Sequence, residues 1–266
     1  MGKRALFLIV ITLLLGACQG CDVRQRQTLR LVTYNVGVFH KSGSNSTDMV
    51  ADMMKEIDAD AISMNELDSC TTRHGEFQIR DFALAMGNWY YTFTPAMDYK
   101  GGGYGIGIVS SPKLPPLKQY RLHLAKGDGS EQRALAVCEF KDFVFCSTHL
   151  DHRSQSAQYA QAEQINTWIA ANYGNSPKPV ILCGDFNAVP TSETIKLMKE
   201  GWTVISPEDP TISSSSPTKC IDYIMVYKNA AEKVSVLDAK VLDSFKKGDV
   251  TQASDHLPVY VEIKIQ

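Results

Sequence analysis

The 266-residue chain holds 27 basic and 29 acidic residues, which gives a formal net charge of −2 at pH 7, and 44% of its residues are hydrophobic. This composition is typical of a globular protein that can bury a sizeable core, with no low-complexity bias beyond Ser213–Ser216. A mildly acidic protein is a poor non-specific binder of polyanions, although a local basic patch could still exist.

The N-terminal segment has the pattern of a bacterial export signal. Lys3-Arg4 precede the apolar run Ala5–Leu15, which is too short to span a bilayer comfortably, and small residues follow it. Leu15-Gly16-Ala17-Cys18 resembles the lipobox of bacterial lipoproteins, in which the cysteine is acylated and becomes the mature N-terminus. A plain secretory signal cleaved near Ala17 is the alternative, but a cysteine at that position then has no obvious purpose.

We therefore predict three segments and a location. Residues 1–17 form a lipoprotein signal peptide, residues 18–27 a short polar tether, and residues 28–266 one domain, since no linker divides them. We expect an exported cell-envelope protein that a lipid on Cys18 anchors to the membrane. Most other cysteines lie in apolar, strand-like runs, which favours buried thiols over disulfides, and their spacing fits no zinc site.

The first half of the chain alternates strand and helix patterns. A helix with an apolar, methionine-rich stripe is predicted to have Thr47 or Asp48 as its N-cap, and a second helix covers Phe77–Met86. Methionines at helical spacing usually belong to the core, and we assign them to it. Strands are predicted over Leu29–Val36, Asp60–Asn65, Trp89–Thr94 and Tyr104–Ser110.

The second half continues the same mixture. Arg133–Phe140 and Phe143–Thr148 are predicted to form a hairpin. A long helix begins at Ser154 or Ser156 and ends near Gly174, with these residues facing inward: Ala157, Ala160, Ile165, Trp168 and Ile169. A shorter helix covers Thr191–Glu200, and further strands are predicted over 180–187, Cys220–Tyr227, Val234–Leu242 and Leu257–Ile265.

The order of these elements predicts an α/β fold. About ten strands and roughly five helices come in two similar halves, which suits two mixed β-sheets packed face to face with helices on both outer sides.

The segment Gly184–Pro190 directly follows an apolar run that reads as a buried strand, Pro179–Cys183. Asp185 and Asn187 are two positions apart, so their side chains lie on the same face of an extended chain. A carboxylate at a buried strand end should face a metal, a cation or solvent, because burial without a partner is unfavourable. An ordinary Asx-type turn is the alternative for this segment alone.

Similar chemistry recurs at the ends of other predicted strands. Carboxylate, amide and imidazole groups lie there, and the residues are Asn35, Glu66, His149, Asp151, Asp185, Asn187, Asp222, Asp255 and His256. Oxygen ligands without thiolates favour a hard cation, Mg²⁺ first, with Mn²⁺ or Ca²⁺ possible. The two histidines suit charge stabilisation or proton transfer near neutral pH.

Six motifs, spread from residue 33 to residue 259, resemble those of the endonuclease/exonuclease/phosphatase superfamily in their order. They are Thr33-Tyr-Asn-Val36, Asn65-Glu-Leu-Asp68, Ser147-Thr-His-Leu-Asp151, Gly184-Asp-Phe-Asn-Ala188, Ile221-Asp-Tyr-Ile224 and Ser254-Asp-His-Leu-Pro-Val259. Each motif is weak by itself, but six in sequence are specific. The resemblance implies a four-layer α/β sandwich and a metal-dependent phosphoesterase.

The resemblance also implies roles for individual residues. Glu66 is expected to be the principal metal ligand, with Asn35 beside it and Asp255 completing the site or lying just outside it. His256 corresponds to the family's essential histidine, and Asp222 to the carboxylate that holds its ring.

Further residues are expected around the reacting phosphate. By the resemblance, Asp185 accepts a proton from the attacking water or orients it, Asn187 donates to the negative charge that develops on the phosphorane oxygens, and His149 donates to a phosphate oxygen. Arg73 and Arg133 could contact non-bridging oxygens or form surface ion pairs. Asp151, placed with the substrate-binding residues, could instead begin the next helix.

The sequence thus predicts a Mg²⁺-dependent hydrolase of phosphoester bonds that uses in-line attack by water. The expected substrate is a small or lipid-derived phosphodiester or phosphomonoester. An exported scavenging nuclease is the alternative, so nucleic acid is a less favoured partner. A third hypothesis is a protein that binds phosphorylated ligands but has lost catalytic turnover. No protein partner is indicated.

Overall fold

The computed structural model describes residues 28–266. The predicted signal peptide, the tether and Cys18 lie outside the described residues. The strands and α-helices have these bounds: β1 Thr28–Asn35, α1 Thr47–Glu56, β2 Ala61–Ser69, α2 Gln78–Ala85, β3 Tyr90–Tyr99, β4 Gly102–Ser110, β5 Lys118–Leu124, β6 Arg133–Glu139, β7 Val144–His149, α3 Gln155–Tyr173, β8 Val180–Asp185, α4 Glu193–Gly201, β9 Trp202–Val204, β10 Asp222–Tyr227, β11 Val234–Val241, α5 Val250–Ala253 and β12 Val259–Ile265.

The strands form two mixed sheets of six strands each, in the orders β11-β12-β1-β2-β4-β3 and β5-β6-β7-β8-β10-β9. Each sheet contains one parallel pair, β1 with β2 and β7 with β8. Parallel strands end at the same sheet edge, so Asn35 lies beside Asn65 and His149 beside Asp185.

Side-chain alternation along β1 shows how the layers are built. Leu29 and Leu31 belong to the core between the two sheets, whereas Val32 and Tyr34 belong to the core under α1 and α2. Helices α3 and α4 cover the other sheet through a third apolar cluster. The result is a four-layer α/β sandwich, which confirms the predicted fold class. The methionine stripe of α1 is core, with Met53 and Met54 fully buried.

Helix α3 differs from its prediction at one position. Ala160 was expected to face inward and is exposed, whereas Gln158 and Gln161 are buried. Their Nε2 amides donate to the backbone carbonyls of Asp151, at 2.7 Å, and Ala125, at 3.1 Å. A buried amide is tolerated when it is hydrogen-bonded, and an apolar periodicity cannot detect that.

Two smaller elements also differ. The short strand β9 was not predicted, and the N-cap of α1 is Ser46, one residue before the first of the two predicted N-cap positions. The buried thiols of Cys138, Cys146 and Cys183 agree with the expectation of free cysteines within residues 28–266. Among the helices of the same residues, none is long and apolar enough to cross a membrane.

Candidate active site

Polar side chains from five strands and one loop meet where the two sheets face each other. They come from β1, β2, β7, β8, β10 and the loop before β12, and they are Asn35, Glu66, His149, Asp185, Asp222 and His256. Ligand sites of α/β sheets commonly lie beyond the carboxyl ends of strands, where side chains from several elements converge.

Asn65, for which the sequence motifs predict no role of its own, fixes the two sheets relative to each other where they meet at the site. Its Nδ2 donates to the carbonyl of Thr148 at 2.9 Å, and its Oδ1 accepts the backbone N–H of Asp185 at 3.0 Å. Because this fully buried amide bonds two adjacent strands of the other sheet, it locks Asp185 against β2. The sequence signal was only its position before Glu66.

Asn35 lies between two carboxylates. Its Nδ2 is 3.1 Å from Glu66 Oε1 and 3.1 Å from Asp185 Oδ2, while its Oδ1 accepts the N–H of Gly37 at 3.1 Å. The residue is fully buried, so its amide has little freedom to move. One amide therefore joins an acid of one sheet to an acid of the other.

Glu66 takes an unusual backbone conformation to reach this position. It lies at a register shift in β2, between Asn65 and Leu67, and its φ is 57°. A non-glycine residue in this left-handed region is strained by about 1 kcal/mol or more. Bulges re-aim side chains, and this one takes Glu66 out of the strand's alternation.

Asp222 orients the ring of His256. Asp222 Oδ2 is 2.9 Å from His256 Nδ1 and also accepts the hydroxyl of Thr211 at 2.5 Å. With Nδ1 held by this carboxylate, Nε2 faces Asp185, 3.6 Å from its Oδ2. Asp222 Oδ1 is buried and has no hydrogen-bond partner within residues 28–266.

The surroundings of His256 and Asp185 give these two side chains different charge states near neutral pH. Burial opposes a charge on His256, but Asp222 and then Asp185 outweigh it and raise the pKa of the imidazole to about 10. Burial, followed by the charge of Asp222, raises the pKa of Asp185 to about 7. At neutral pH His256 is therefore a cation, beside a carboxyl group suited to general-base work.

Arg133 fixes the tautomer of His149. Arg133 Nη1 lies 3.3 Å from His149 Nδ1, and because a guanidinium only donates, Nδ1 must accept. The ring proton is then on Nε2, which lies 3.5 Å from Asp185 Oδ2. Burial and the charge of Arg133 lower the pKa of His149 well below its usual value, so the ring is a neutral N–H donor.

The donor set suits a hard divalent cation. Carboxylate oxygens of Glu66 and Asp185 meet at Asn35, and Asp185, Asp222 and His256 offer ligand atoms within 4.8 Å of one another. Asp222 Oδ1 has no hydrogen-bond partner among the described residues, and burial, followed by the charge of Asp222, raises the pKa of Asp185, so a cation would stabilise both carboxylates. Residues with these oxygen donors fit Mg²⁺ or a similar ion.

Two predicted site residues are engaged by other partners. Asp255 is half-exposed, and its Oδ2 lies 3.7 Å from Lys41 Nζ. Asn187 donates its side-chain amide to the carbonyl of Leu150 at 3.1 Å and its backbone N–H to Asp185 Oδ1 at 2.8 Å. The metal role of Asp255 and the phosphate role of Asn187 stay predictions.

Arg73 and Asp151 are also engaged by other protein groups. Arg73 binds both carboxylate oxygens of Asp68, at 2.9 and 2.7 Å, and stacks on the ring of Tyr99. Asp151 is fully buried and accepts donors from the backbones of Ser130, Glu131, Arg153 and Ser154 and from the Ser130 hydroxyl. Substrate contact by these two residues stays a prediction.

Comparison with known proteins agrees with the motifs. A model of the endonuclease/exonuclease/phosphatase family matches residues 32–256, whereas no curated protein matches the sequence.

Solved structures share the fold at low identity. An endonuclease/exonuclease/phosphatase from Bacteroides vulgatus is 19% identical with a TM-score of 0.75, and the match covers 90% of this chain and 100% of that one. The mannosyl-6-phosphatase of Bacteroides thetaiotaomicron VPI-5482 is 21% identical with a TM-score of 0.72, covering 88% and 99%. The catalytic domain of human Nocturnin with bound sulfate is 17% identical with a TM-score of 0.69, covering 91% and 98%.

Proposed function

This chain belongs to the endonuclease/exonuclease/phosphatase family, and on that premise we propose that it is a divalent-metal-dependent hydrolase of phosphoester bonds. The proposal rests on one observation. An unbroken series of contacts between the two sheets joins Glu66, Asn35, Asp185 and His256, and Asp222 holds the histidine ring. Five chemically suited side chains from distant parts of the chain would not converge in this way to serve the core alone.

The proposed cation is Mg²⁺, with Mn²⁺ or Ca²⁺ as alternatives. Glu66 and Asn35 would hold it, and Asp255 is the further predicted ligand. A bound divalent ion supplies countercharge to the phosphoryl oxygens and makes bound water more acidic. The buried, unpartnered oxygen of Asp222 and the buried carboxyl group of Asp185, whose pKa is raised by burial and then by Asp222, support this assignment.

The chain's own residues divide the remaining chemistry. Asp185 orients the attacking water and takes its proton, which a carboxyl group titrating near neutral pH can do. His256, held as a cation by Asp222, stabilises negative charge on the phosphoryl oxygens. His149 presents its Nε2–H as a second donor whose orientation Arg133 fixes. Both donors are rigid before substrate arrives, which is the condition for effective charge stabilisation.

A small or lipid-derived phosphodiester or phosphomonoester is the proposed substrate. The net charge of −2 supports a small substrate over a long polyanion, whose binding rests on many cationic contacts. Phosphate esters can be tested directly: we expect hydrolysis of bis-p-nitrophenyl phosphate or p-nitrophenyl phosphate that EDTA abolishes and that His256→Ala loses. Equal, metal-independent rates in wild type and variant would contradict the enzyme and favour the phosphate-ligand binding protein.

A scavenging nuclease is the second candidate, because the same residues would serve a nucleic-acid phosphodiester. Plasmid nicking should be compared with hydrolysis of phospholipid, sphingomyelin and inositol phosphates, measured as the phosphomonoester or phosphate released. Nicking as the fastest reaction, abolished in Asp185→Asn, would replace the small-substrate proposal.

The export signal and the Leu15–Cys18 motif support a lipid-anchored protein of the cell envelope. We expect the full chain, expressed in a bacterium, to enter the detergent phase on Triton X-114 partitioning, and Cys18→Ala to leave it. Detergent partitioning that does not depend on Cys18 would contradict the anchor.

A further inference from the structure

Two guanidinium groups converge on one imidazole beside the candidate active site. Arg133 Nη2 lies 3.2 Å from His152 Nδ1, and Arg153 Nε lies 3.2 Å from His152 Nε2. A guanidinium can only donate, and a neutral imidazole accepts at one nitrogen only. One of these two N–H groups therefore has no acceptor on the ring.

Ser130 identifies which group is unmatched. Its hydroxyl oxygen lies 3.0 Å from Asp151 Oδ2 and 3.3 Å from His152 Nδ1. Because the carboxylate only accepts, the hydroxyl proton points to Asp151, and the Ser130 oxygen is left to accept from Nδ1 of His152. Nε2 then accepts from Arg153, and Nη2 of Arg133 faces an N–H.

Arg133 is short of acceptors elsewhere too. The residue is 2% exposed, and its Nε has no hydrogen-bond partner within residues 28–266. Its acidic neighbour is Glu131, whose Oε2 is 3.0 Å from Nη1. A buried guanidinium donor without an acceptor is unfavourable, so the arrangement is complete only when another acceptor is present.

The surroundings favour an anion as that acceptor. Arg133, His152 and Arg153 lie together, and the nearby carboxylate of Asp151 is already occupied by its loop donors. His152 and Arg153 are exposed, so a solute can approach from their side. Phosphate and carboxylate match a guanidinium better than water does, because charge-assisted bonds are stronger than neutral ones.

We propose that Arg133, His152 and Arg153 form a subsite for a second anionic group, a phosphate or carboxylate, on the part of the substrate that is not hydrolysed. Arg133 also contacts His149, so the subsite adjoins the place where the reacting phosphate would bind. The inference rests on the proposed function and narrows it to phosphoesters that carry a further anionic group.

The first test compares a sugar bisphosphate with its monophosphate, for example glucose 1,6-bisphosphate with glucose 6-phosphate. We expect wild type to favour the bisphosphate in kcat/KM, and Arg153→Gln to reduce that preference about tenfold, as loss of a charge-assisted hydrogen bond does. The matched control is Arg121→Gln, which removes an exposed arginine of β5. An equal reduction in both variants, or none in Arg153→Gln, would overturn the subsite while leaving the hydrolase intact.

The second test measures binding without turnover, by calorimetry on His256→Ala with and without Arg153→Gln. We expect Arg153→Gln to weaken binding of the bisphosphate about tenfold and to change binding of inorganic phosphate much less. Equal weakening of both ligands would show a site for free phosphate and overturn the proposal. A weakening specific to the bisphosphate, in a protein that hydrolyses no phosphoester, would support the subsite and reject the proposed function.

Discussion

Asp185 and Asp151 lie at the ends of neighbouring strands and are equally buried, with 1% and 0% of their surface exposed, yet their surroundings have opposite effects. Burial opposes ionisation of Asp151, but the N–H groups of Ser154, Arg153 and Glu131 outweigh it and lower its pKa. At Asp185, burial and the neighbouring Asp222 raise the pKa to about 7. Equally buried carboxyl groups therefore have pKa values that are shifted in opposite directions.

The difference lies in how many donors each region provides. The loop after β7 and the loop between β5 and β6 together surround the Asp151 carboxylate with five donors, which compensate its charge. The candidate active site gathers Glu66, Asp185 and Asp222 around a single amide and a single histidine cation. That region carries an unfavourable negative charge that a cation would relieve, as is common where function competes with stability.

The largest effect is expected for Asp185→Asn. Activity should fall by about 10²–10⁴-fold, because a general base is lost. The folded-state pKa of Asp185 is raised above its unfolded value, so its ionised form opposes folding at pH 8, and the variant should be more stable by about 0.5–2 kcal/mol in EDTA. Steady-state kinetics and urea unfolding measure the two quantities.

A loss of both activity and stability in Asp185→Asn would remove the contrast with Asp151. Asp52→Asn is the control, since Asp52 is an exposed acid of α1 paired with Lys55, and its exchange should leave both quantities nearly unchanged.

The second-largest effect is expected from metal binding, which should stabilise the protein through the candidate active site and not through the region around Asp151. With Mg²⁺ at 100 times its Kd, wild type should gain about 2.7 kcal/mol of unfolding free energy. Glu66→Ala should lose most of this gain while its metal-free melting temperature changes little, because Glu66 serves the cation more than the core. Thermal unfolding with and without Mg²⁺ measures it. A large fall in the metal-free melting temperature would instead make Glu66 a structural residue.

Asp151→Asn should act in the opposite direction to Asp185→Asn. Loss of the charge-assisted bonds to the loop should destabilise the protein by about 2 kcal/mol at pH 7. The folded-state pKa of Asp151 is depressed, so its contribution is fully present above the unfolded value near 4 and is lost as pH falls below it. Urea unfolding from pH 7 to pH 3 should show the gap between variant and wild type narrowing. A constant gap would mean that packing, not charge, causes it.

Much of this architecture was accessible from the sequence, because strand ends carry recognisable motifs. Apolar alternation predicted β1, a hairpin pattern predicted β7, and a continuous apolar run predicted β8. The polar residues at the ends of these strands indicated where the functional side chains would lie. The fold class and the family followed from the order of these motifs, and both are confirmed.

Other features depend on contacts that no local pattern records. The bridging role of Asn65 requires knowing that β2 faces β7 and β8, and the burial of Gln158 and Gln161 requires knowing which carbonyls lie above α3. The donor shortage of Arg133 appears only when the partners of each side-chain nitrogen are assigned in space.

The smallest predicted effect concerns the backbone of the candidate active site. With φ at 57°, Glu66 occupies a conformation that glycine adopts without strain, so Glu66→Gly should be more stable than Glu66→Ala by about 1 kcal/mol. Glycine in an ordinary strand position would be less stable than alanine, so the sign of the difference is diagnostic. Asn88, whose φ is 60° and which lies away from the cluster, provides the matched pair Asn88→Gly and Asn88→Ala, where the same sign is expected. If Ala and Gly at position 66 are equally stable while the Asn88 pair differs, the β2 bulge relaxes once the carboxylate is removed. Charge in the cluster, and not the backbone, would then hold Glu66 in place.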